Sequence, residues 1–181
     1  MHMQVVRCIK AFCPDFQPIR QILTGIGATC IEQKKQIDYF FLLPIRTDAP
    51  GSRRLKLRVG NDQPRWIYYY DRNQDGSSLV TFQRSEVHDP IIKDILAAAL
   101  GVETVVHKQR EVWRTKHVIF NLDQLHGVGQ IFEMELEVEG PNDPGVQADY
   151  YRELFRPHLE ADIHGSNEDL IAALLKKPNE A

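Results

Sequence analysis

Two periods in the hydrophobic pattern divide the chain into predicted strands and helices. Alternation of apolar and polar residues is typical of strands, whose successive side chains point to opposite faces of a sheet. It predicts eight strands, at 5–12, 37–43, 53–59, 66–70, 79–86, 104–114, 117–122 and 130–139. A stripe of isoleucine and leucine at helical spacing after Asp15 predicts a first helix, which ends at Gly25 and Gly27.

Three further helices are predicted in the same way. The second begins at 89–90, carries an apolar stripe up to Leu100 and ends at Gly101, because glycine readily takes the backbone conformation that closes a helix. A third helix is predicted over 148–159 and a short fourth one over 167–176. Clusters of turn-forming residues predict loops or turns at 44–52, 61–64, 75–76 and 141–145.

The order of these elements predicts an α+β fold with a mostly antiparallel sheet. Each strand is separated from the next by a turn or by one helix, which is the usual arrangement of antiparallel neighbours. Eight strands in one run favour a barrel or a sandwich. The first two helices need apolar sheet surface on which to pack, so in a closed barrel they would lie on the outside.

Charged residues of one sign follow single faces of single strands. Arg54, Lys56 and Arg58 share one face of the third strand, and Lys108 lies with Arg110 on the sixth. The acids of the last strand also share one face: Glu133, Glu135, Glu137 and Glu139. These could be solvent faces, although solvent faces usually mix both signs. In a closed barrel they would line the bore, where cations suit an anionic ligand and carboxylates suit a hard divalent cation.

Composition fits one soluble domain better than a general nucleic-acid binder. The chain has 181 residues, 43% of them hydrophobic and 26% charged, and a formal net charge of −3, whereas nucleic-acid binders usually carry a net basic patch. We expect one domain over 3–176, a tail at 177–181, no membrane span and no signal peptide. Three cysteines without a zinc pattern indicate reduced thiols and a cytoplasmic location.

Short motifs in a fixed order resemble the CYTH family, which is named for class IV adenylate cyclases and thiamine triphosphatases and is also called the triphosphate tunnel metalloenzymes. The matching segments are 34–40 (KKQIDYF), 54–58 (RLKLR), 69–72 (YYDR), 88–90, 99–102, 106–110 (VHKQR), 121–123, 127–129, 133–135 (EME), 163–166 and 169–170. No single motif is specific, so the resemblance depends on their order along nearly the whole chain.

The resemblance implies a closed, eight-stranded tunnel that holds a small-molecule triphosphate together with Mg²⁺ or Mn²⁺. The implied phosphate-binding residues are Lys10, Lys56, Arg58, Lys108 and Arg110, with Arg54, Arg72 and Arg84 as additional anion-binding candidates. The implied metal ligands are Glu133, Glu135 and Asp123. The chemistry would be hydrolysis of a triphosphate or cyclisation of ATP, and the candidate ligands are ATP, thiamine triphosphate and tripolyphosphate.

The first strand departs from the family's pattern. The family begins with Glu-x-Glu-x-Lys, and here Val6, Cys8 and Lys10 stand in those positions. Strand alternation predicts that all three share the tunnel face. A site that lacks two anionic ligands binds a metal more weakly. The alternative to an enzyme is therefore a nucleotide- or polyphosphate-binding protein that does not turn its ligand over.

Overall fold

The predicted strands form one closed, antiparallel ring. The computed structural model describes residues 2–44, 52–60, 65–72, 79–116, 118–137 and 145–176. Its strands are β1 (His2–Phe12), β2 (Thr29–Phe41), β3 (Ser52–Gly60), β4 (Arg65–Arg72), β5 (Leu79–Val87), β6 (Val102–Arg114), β7 (Val118–Leu125) and β8 (Gly129–Glu137). Their order around the ring is β1-β5-β4-β3-β2-β6-β7-β8, and β8 pairs with β1. The predicted α+β fold with an eight-stranded barrel is confirmed.

The loop and tail predictions fall mostly outside the described residues. The segments concerned are 45–51, 61–64, 73–78, 138–144 and 177–181. Strand β2 is longer than alternation predicted, since it begins at Thr29 and pairs with β6 from there onward. Its first half is polar on both faces: Lys34 lines the barrel interior, while Gln33 and Lys35 are exposed. A strand without an apolar face gives no alternation signal.

Four helices lie among the described residues. They are α1 (Phe16–Gly25), α2 (Ile92–Leu100), α3 (Gly145–Phe155), which a 3-10 turn follows, and α4 (Asn167–Lys176). Asp15 caps α1 as predicted, because its carboxylate accepts a hydrogen bond from the backbone N–H of Gln17 at 2.9 Å. Gly101 ends α2 with a φ of 79°, a conformation that favours glycine. None of the described helices is both long and apolar enough to cross a membrane.

The first two helices differ in how far they pack against the barrel. α1 buries Phe16, Ile19 and Leu23 against the outer faces of β7 and β8, as predicted. α2 has no buried residue, and Ile95 on it is 52% exposed. α2 contacts β2, but it has no fully buried residue, so the predicted packing on the sheet is only partial for α2. α1 and α3 together cover the apolar outer surface of β1, β7 and β8.

Two apolar cores lie on opposite faces of the sheet. The outer core joins α1 and α3 to β7 and β8, and it contains Phe120, Phe132 and Phe155, each with no exposed surface. The inner core lies inside one end of the barrel, where Leu170 and Ile171 of α4 pack against inward-facing strand residues. The rest of the barrel interior is lined mostly by charged and polar side chains.

Candidate anion-binding site

Charged strand faces line the inside of the barrel around a cavity of about 320 Å³. Its cationic lining residues are Lys10, Lys34, Lys56, Arg58, Arg84, Lys108 and Arg110. Its carboxylates are Glu32, Asp38, Glu133, Glu135 and Glu168. The structure thus brings the five predicted phosphate-binding residues together in one cavity, and its volume is within the range of small-molecule sites.

One set of cations is held by a buried aspartate between β2 and β3. Arg58 donates two hydrogen bonds to Asp38, from Nε to Oδ1 at 2.6 Å and from Nη2 to Oδ2 at 2.7 Å. Lys56 Nζ donates to the same Oδ2 at 3.3 Å. Burial would raise the pKa of Asp38, but the charges of Arg58 and Lys56 hold it well below its usual range. We call these three residues the β2–β3 clamp.

A second set repeats this arrangement between β6 and β7. Arg110 donates from Nε and Nη2 to the two oxygens of Asp123, both at 2.5 Å, and Lys108 Nζ donates to Oδ2 at 3.2 Å. Burial opposes ionisation of Asp123, yet the two cations lower its pKa to about 2. We call these three residues the β6–β7 clamp. In both clamps a Lys-x-Arg strand faces an aspartate in register on its neighbour.

The lysines of the clamps hold their protons less firmly than the arginines. Burial and the nearby Arg110 lower the pKa of Lys108 to about 7, and burial and Arg58 lower the pKa of Lys56. Burial acts in the same direction on the arginines, but their aspartate partners outweigh it and raise the pKa of Arg58 and of Arg110. An anion bound beside the lysines would favour their charged form.

Aromatic rings surround the ammonium group of Lys56. Its Nζ lies 5.1 Å from the ring centroid of Tyr68, 5.5 Å from that of Phe40 and 5.7 Å from that of Tyr70. Such contacts attract a cation to the face of each ring. The β4 wall of the cavity therefore presents ring faces, whereas the β6 wall presents cations.

The predicted metal ligands divide between two environments. Glu133 and Glu135 line the cavity from β8, and Glu133 accepts one hydrogen bond from Arg110 at 3.4 Å. Asp123, in contrast, accepts hydrogen bonds from Arg110 and Lys108 at both oxygens. Within the described ranges, no three histidine, cysteine, aspartate or glutamate residues form a group that could hold a metal ion. Mg²⁺ is often held by one or two carboxylates together with phosphate oxygens. The two glutamates therefore fit a metal that binds with a phosphate, and they do not form a complete metal site alone.

The additional anion-binding candidates lie in different places. Arg84 lines the cavity, with its guanidinium carbon 4.8 Å from the ring centroid of Trp66. Arg54 lies beside α4 and donates to Glu168 at 3.3 Å. Arg72 is the last residue of β4, and its side chain lies outside the described residues.

Comparison with known proteins agrees with this barrel. A family model of the CYTH domain matches residues 9–162. The chain belongs to the CYTH domain family. No curated protein matches it.

Solved structures of other proteins share the fold. A protein from Pyrococcus horikoshii OT3 is 21% identical, with a TM-score of 0.72, and the match covers 94% of this chain and 99% of that one. A putative adenylate cyclase from Vibrio parahaemolyticus is 15% identical, covering 94% and 97%, with a TM-score of 0.66. A putative adenylyl cyclase from Hippeastrum, described as having a dominant triphosphatase activity, is 14% identical, covering 99% and 98%, with a TM-score of 0.67.

The backbone pairing of the first strand of this CYTH protein is irregular. A register shift between Arg7 and Ile9 interrupts the pairing of β1 with β8. Beyond the shift, Arg7 stands opposite Glu135, and Val6 stands opposite Leu136 of the outer core. A bulge of this kind breaks the period-two pattern of a strand. The side chains of Val6 and Cys8 lie outside the described residues, so the shared tunnel face of positions 6, 8 and 10 stays a prediction.

Several residues line the cavity of this CYTH protein without having been assigned a role from the sequence, among them Asp38, Lys34 and Glu168. Asp38 interrupts an apolar run of β2, and a lone charge in such a run is a signal that could have predicted a buried partner. Lys34 lies in the half of β2 that shows no alternation. Glu168 lies on α4, and its local sequence does not indicate that the helix enters the barrel.

Proposed function

We propose that this CYTH protein binds a small molecule bearing a triphosphate group inside its barrel and hydrolyses that group. The observation that supports the proposal most is the gathering of seven cationic side chains around one cavity in a chain whose net charge is −3. Cations outnumber carboxylates in the lining. A run of phosphates is a ligand that can use several cations at once.

The two clamps would share the binding of phosphate oxygens. The β2–β3 clamp and the β6–β7 clamp lie on neighbouring parts of the ring, since β2 pairs with both β3 and β6. Asp38 and Asp123 orient the arginine forks before the ligand arrives, so little conformational freedom is lost on binding. Lys10 adds a cation from β1, where it stands opposite Glu133. These cations would offset the charge that develops on the transferring phosphoryl group.

Glu133 and Glu135 would hold a divalent metal, Mg²⁺ or Mn²⁺, together with phosphate oxygens. CYTH proteins generally depend on a divalent metal, which, when bound, neutralises charge on the phosphoryl group. We favour hydrolysis over cyclisation because the Hippeastrum protein is described as having a dominant triphosphatase activity. The match to that protein covers 99% of this chain.

The second candidate function is binding of a nucleotide or polyphosphate without turnover. Two observations favour it: the first strand carries Val6 and Cys8 where the family pattern has glutamates, and the described residues contain no three-ligand metal group. The two candidates share the site and differ only in whether product forms.

An activity panel separates the two candidates. Purified protein is mixed with ATP, thiamine triphosphate or tripolyphosphate, each with Mg²⁺, Mn²⁺ or EDTA, and both products and melting temperature are measured. Metal-dependent release of phosphate supports hydrolysis, and cyclic AMP with pyrophosphate indicates cyclisation. A raised melting temperature without product supports binding alone, because a ligand that binds only the folded state stabilises it. No product and no stabilisation would overturn both.

Variants of the clamps test where the ligand binds. We expect Arg58→Ala and Lys108→Ala each to weaken tripolyphosphate binding about 10- to 100-fold, since a hydrogen bond to a charged group contributes roughly 1.5–3 kcal/mol. Lys35→Ala is the matched control, because Lys35 is exposed on β2 and lies outside this cavity. Isothermal titration calorimetry gives the dissociation constants. Equal losses in all three variants would place the ligand elsewhere.

A further inference from the structure

Helix α2 has a largely apolar sequence on both of its faces. One face is half-buried, and its residues are Ile92, Lys93, Leu96, Ala97 and Leu100. The opposite face is exposed, and its residues, counted from the N-cap, are Ile91, Asp94, Ile95, Ala98 and Ala99. Both sets follow the spacing of three and four residues that marks a single helix face. A helix that is apolar all round is normally buried on all sides, so the exposed face of α2 has the composition of a contact surface.

The exposed apolar surface continues past the end of α2. The backbone N–H of Leu42 donates to the carbonyl oxygen of Gly101 at 3.2 Å, which places Leu42 beside the end of the helix. Four large apolar residues of this surface are 41–52% exposed: Leu42, Ile91, Ile95 and Val102. We call these four residues, together with Ala98 and Ala99, the α2 patch. A contiguous apolar surface of this kind on a folded protein marks an interaction site.

The α2 patch is complementary to a second copy of itself. Ile95 and Ala98 lie three residues apart, so they follow one another along the same helix face. When two such helices pack antiparallel around a twofold axis near their midpoints, Ile95 of each copy lies opposite Ala98 of the other. A large side chain against a small one lets the two helices approach closely. The same arrangement brings Ile91 of each copy to the far end of the other patch, where Leu42 and Val102 lie.

Charged residues near the two ends of α2 favour the antiparallel direction. Lys93, in the first turn, has a side chain that is 43% exposed, and Glu103, three residues after the end of the helix, is exposed as well. Antiparallel packing brings Lys93 of each copy toward Glu103 of the other. It also sets the positive end of one helix dipole beside the negative end of the other, whereas parallel packing would set like charges side by side.

We propose that the α2 patch binds the same patch of a second copy of this chain, with the two α2 helices antiparallel. Such an interface uses one surface twice and therefore closes as a dimer. A helix of nine residues is roughly 14 Å long, so the contact is smaller than that of a permanent dimer. We expect a reversible dimer with a dissociation constant on the order of 10–100 μM. This inference does not depend on the proposed function.

Sedimentation velocity of the full chain tests the dimer directly. The weight-average mass should rise from one chain toward two as the protein concentration increases from about 2 to about 400 μM, because association follows mass action. A mass of one chain at every concentration would overturn the proposal and leave the patch to a partner of another kind.

A substitution in the middle of the patch tests the surface. Ile95→Glu should weaken dimerisation at least 30-fold, because each copy would bring a charge without a partner into an apolar contact. The side chain is exposed in a single copy, so the variant should fold, and a thermal melt at low concentration checks this. Leu175→Glu is the matched control, since Leu175 is a 76% exposed apolar residue on α4, and it should dimerise like the wild type. A folded Ile95→Glu variant that also dimerises like the wild type would overturn the proposal.

A charge exchange tests the direction of the two helices. Lys93→Glu should weaken dimerisation about three- to tenfold, because it sets two acidic side chains together at both ends of the contact. Adding Glu103→Lys to the same chain should restore the wild-type dissociation constant. If the second substitution does not restore it, the antiparallel arrangement is wrong and the proposal falls with it.

Discussion

At the scale of residues, the site depends on two aspartates that are buried among cations. Asp38 and Asp123 are 3% and 1% exposed, and each accepts three hydrogen bonds from a lysine and an arginine. Removing one partner of such a buried pair costs roughly 3–5 kcal/mol, because a charge is left without compensation. The aspartates are therefore needed to keep the cations inside the barrel when no ligand is bound.

The low pKa of Lys108 predicts a pH dependence of stability. The pKa of Lys108 is 10.5 in its ordinary state and about 7 in the folded protein. Between these values the unfolded chain binds more protons than the folded one, so the free energy of unfolding should rise as pH rises from 7 toward 10. We expect Lys108→Met to remove roughly 1–3 kcal/mol of that rise, as measured by urea unfolding at several pH values.

Lys35→Met is the control for this series, because the side chain of Lys35 is exposed on the outside of the barrel. The control should keep the wild-type slope of stability against pH. A wild-type slope in Lys108→Met as well would show that Lys108 is not the titrating group.

Individual site residues were predictable where alternation was strong. Arg58 and Lys108 lie on strands with one apolar and one charged face. Closing these strands into a barrel with the charged faces inward places both side chains in one cavity. The role of Asp123 was not predictable in the same way. Whether a carboxylate coordinates a metal or pairs with an arginine depends on the register between strands. In this barrel Arg110 of β6 lies directly opposite Asp123 of β7.

At the scale of elements, the different burial of α1 and α2 has a measurable consequence. Shortening an apolar side chain should lower the free energy of unfolding strongly in α1 and only slightly in α2. Leu23 of α1 is completely buried, whereas Ile95 of α2 is 52% exposed. Leu23→Ala should lower the free energy of unfolding by about 2–5 kcal/mol, because it leaves a cavity in the outer core. Ile95→Ala should change it by about 0.5 kcal/mol or less. Chemical denaturation of both variants measures the contrast, and similar losses would contradict the packing of α2.

Some element boundaries were predictable from local patterns, but element positions were not. The fourth helix begins and ends where it was predicted, at Asn167 and Lys176. The stripe shows only that α4 has a face to bury. That this face lies inside the ring, and not on its outside like that of α1, depends on the inward-facing Phe40 and Tyr70, which are far away in sequence.

At the scale of the whole molecule, an acidic chain encloses a cationic cavity. Because the net charge is −3, the outer surface as a whole does not attract anions from solution, and we expect them to bind inside the barrel. Sulfate should therefore raise the melting temperature more than chloride does at equal ionic strength, because a doubly charged anion can bind both clamps. A double variant, Lys56→Met with Lys108→Met, should lose most of this difference in a thermal melt. A wild-type response that is equal for the two salts would contradict a convergent anion site.

The closure of the ring by β1 and β8 has a consequence for how the chain folds. Residues Val5–Phe12 pair with Ile131–Glu137, so the ring closes only when segments roughly 120 residues apart meet. Pairings between such distant segments slow folding to the millisecond-to-second range typical of β-rich proteins. Until β1 docks, β5 and β8 both present unpaired edges, which are the sites where a partly folded chain would associate with another copy. Strand β1 precedes the other strands along the chain, yet it is among the last to find both of its partners.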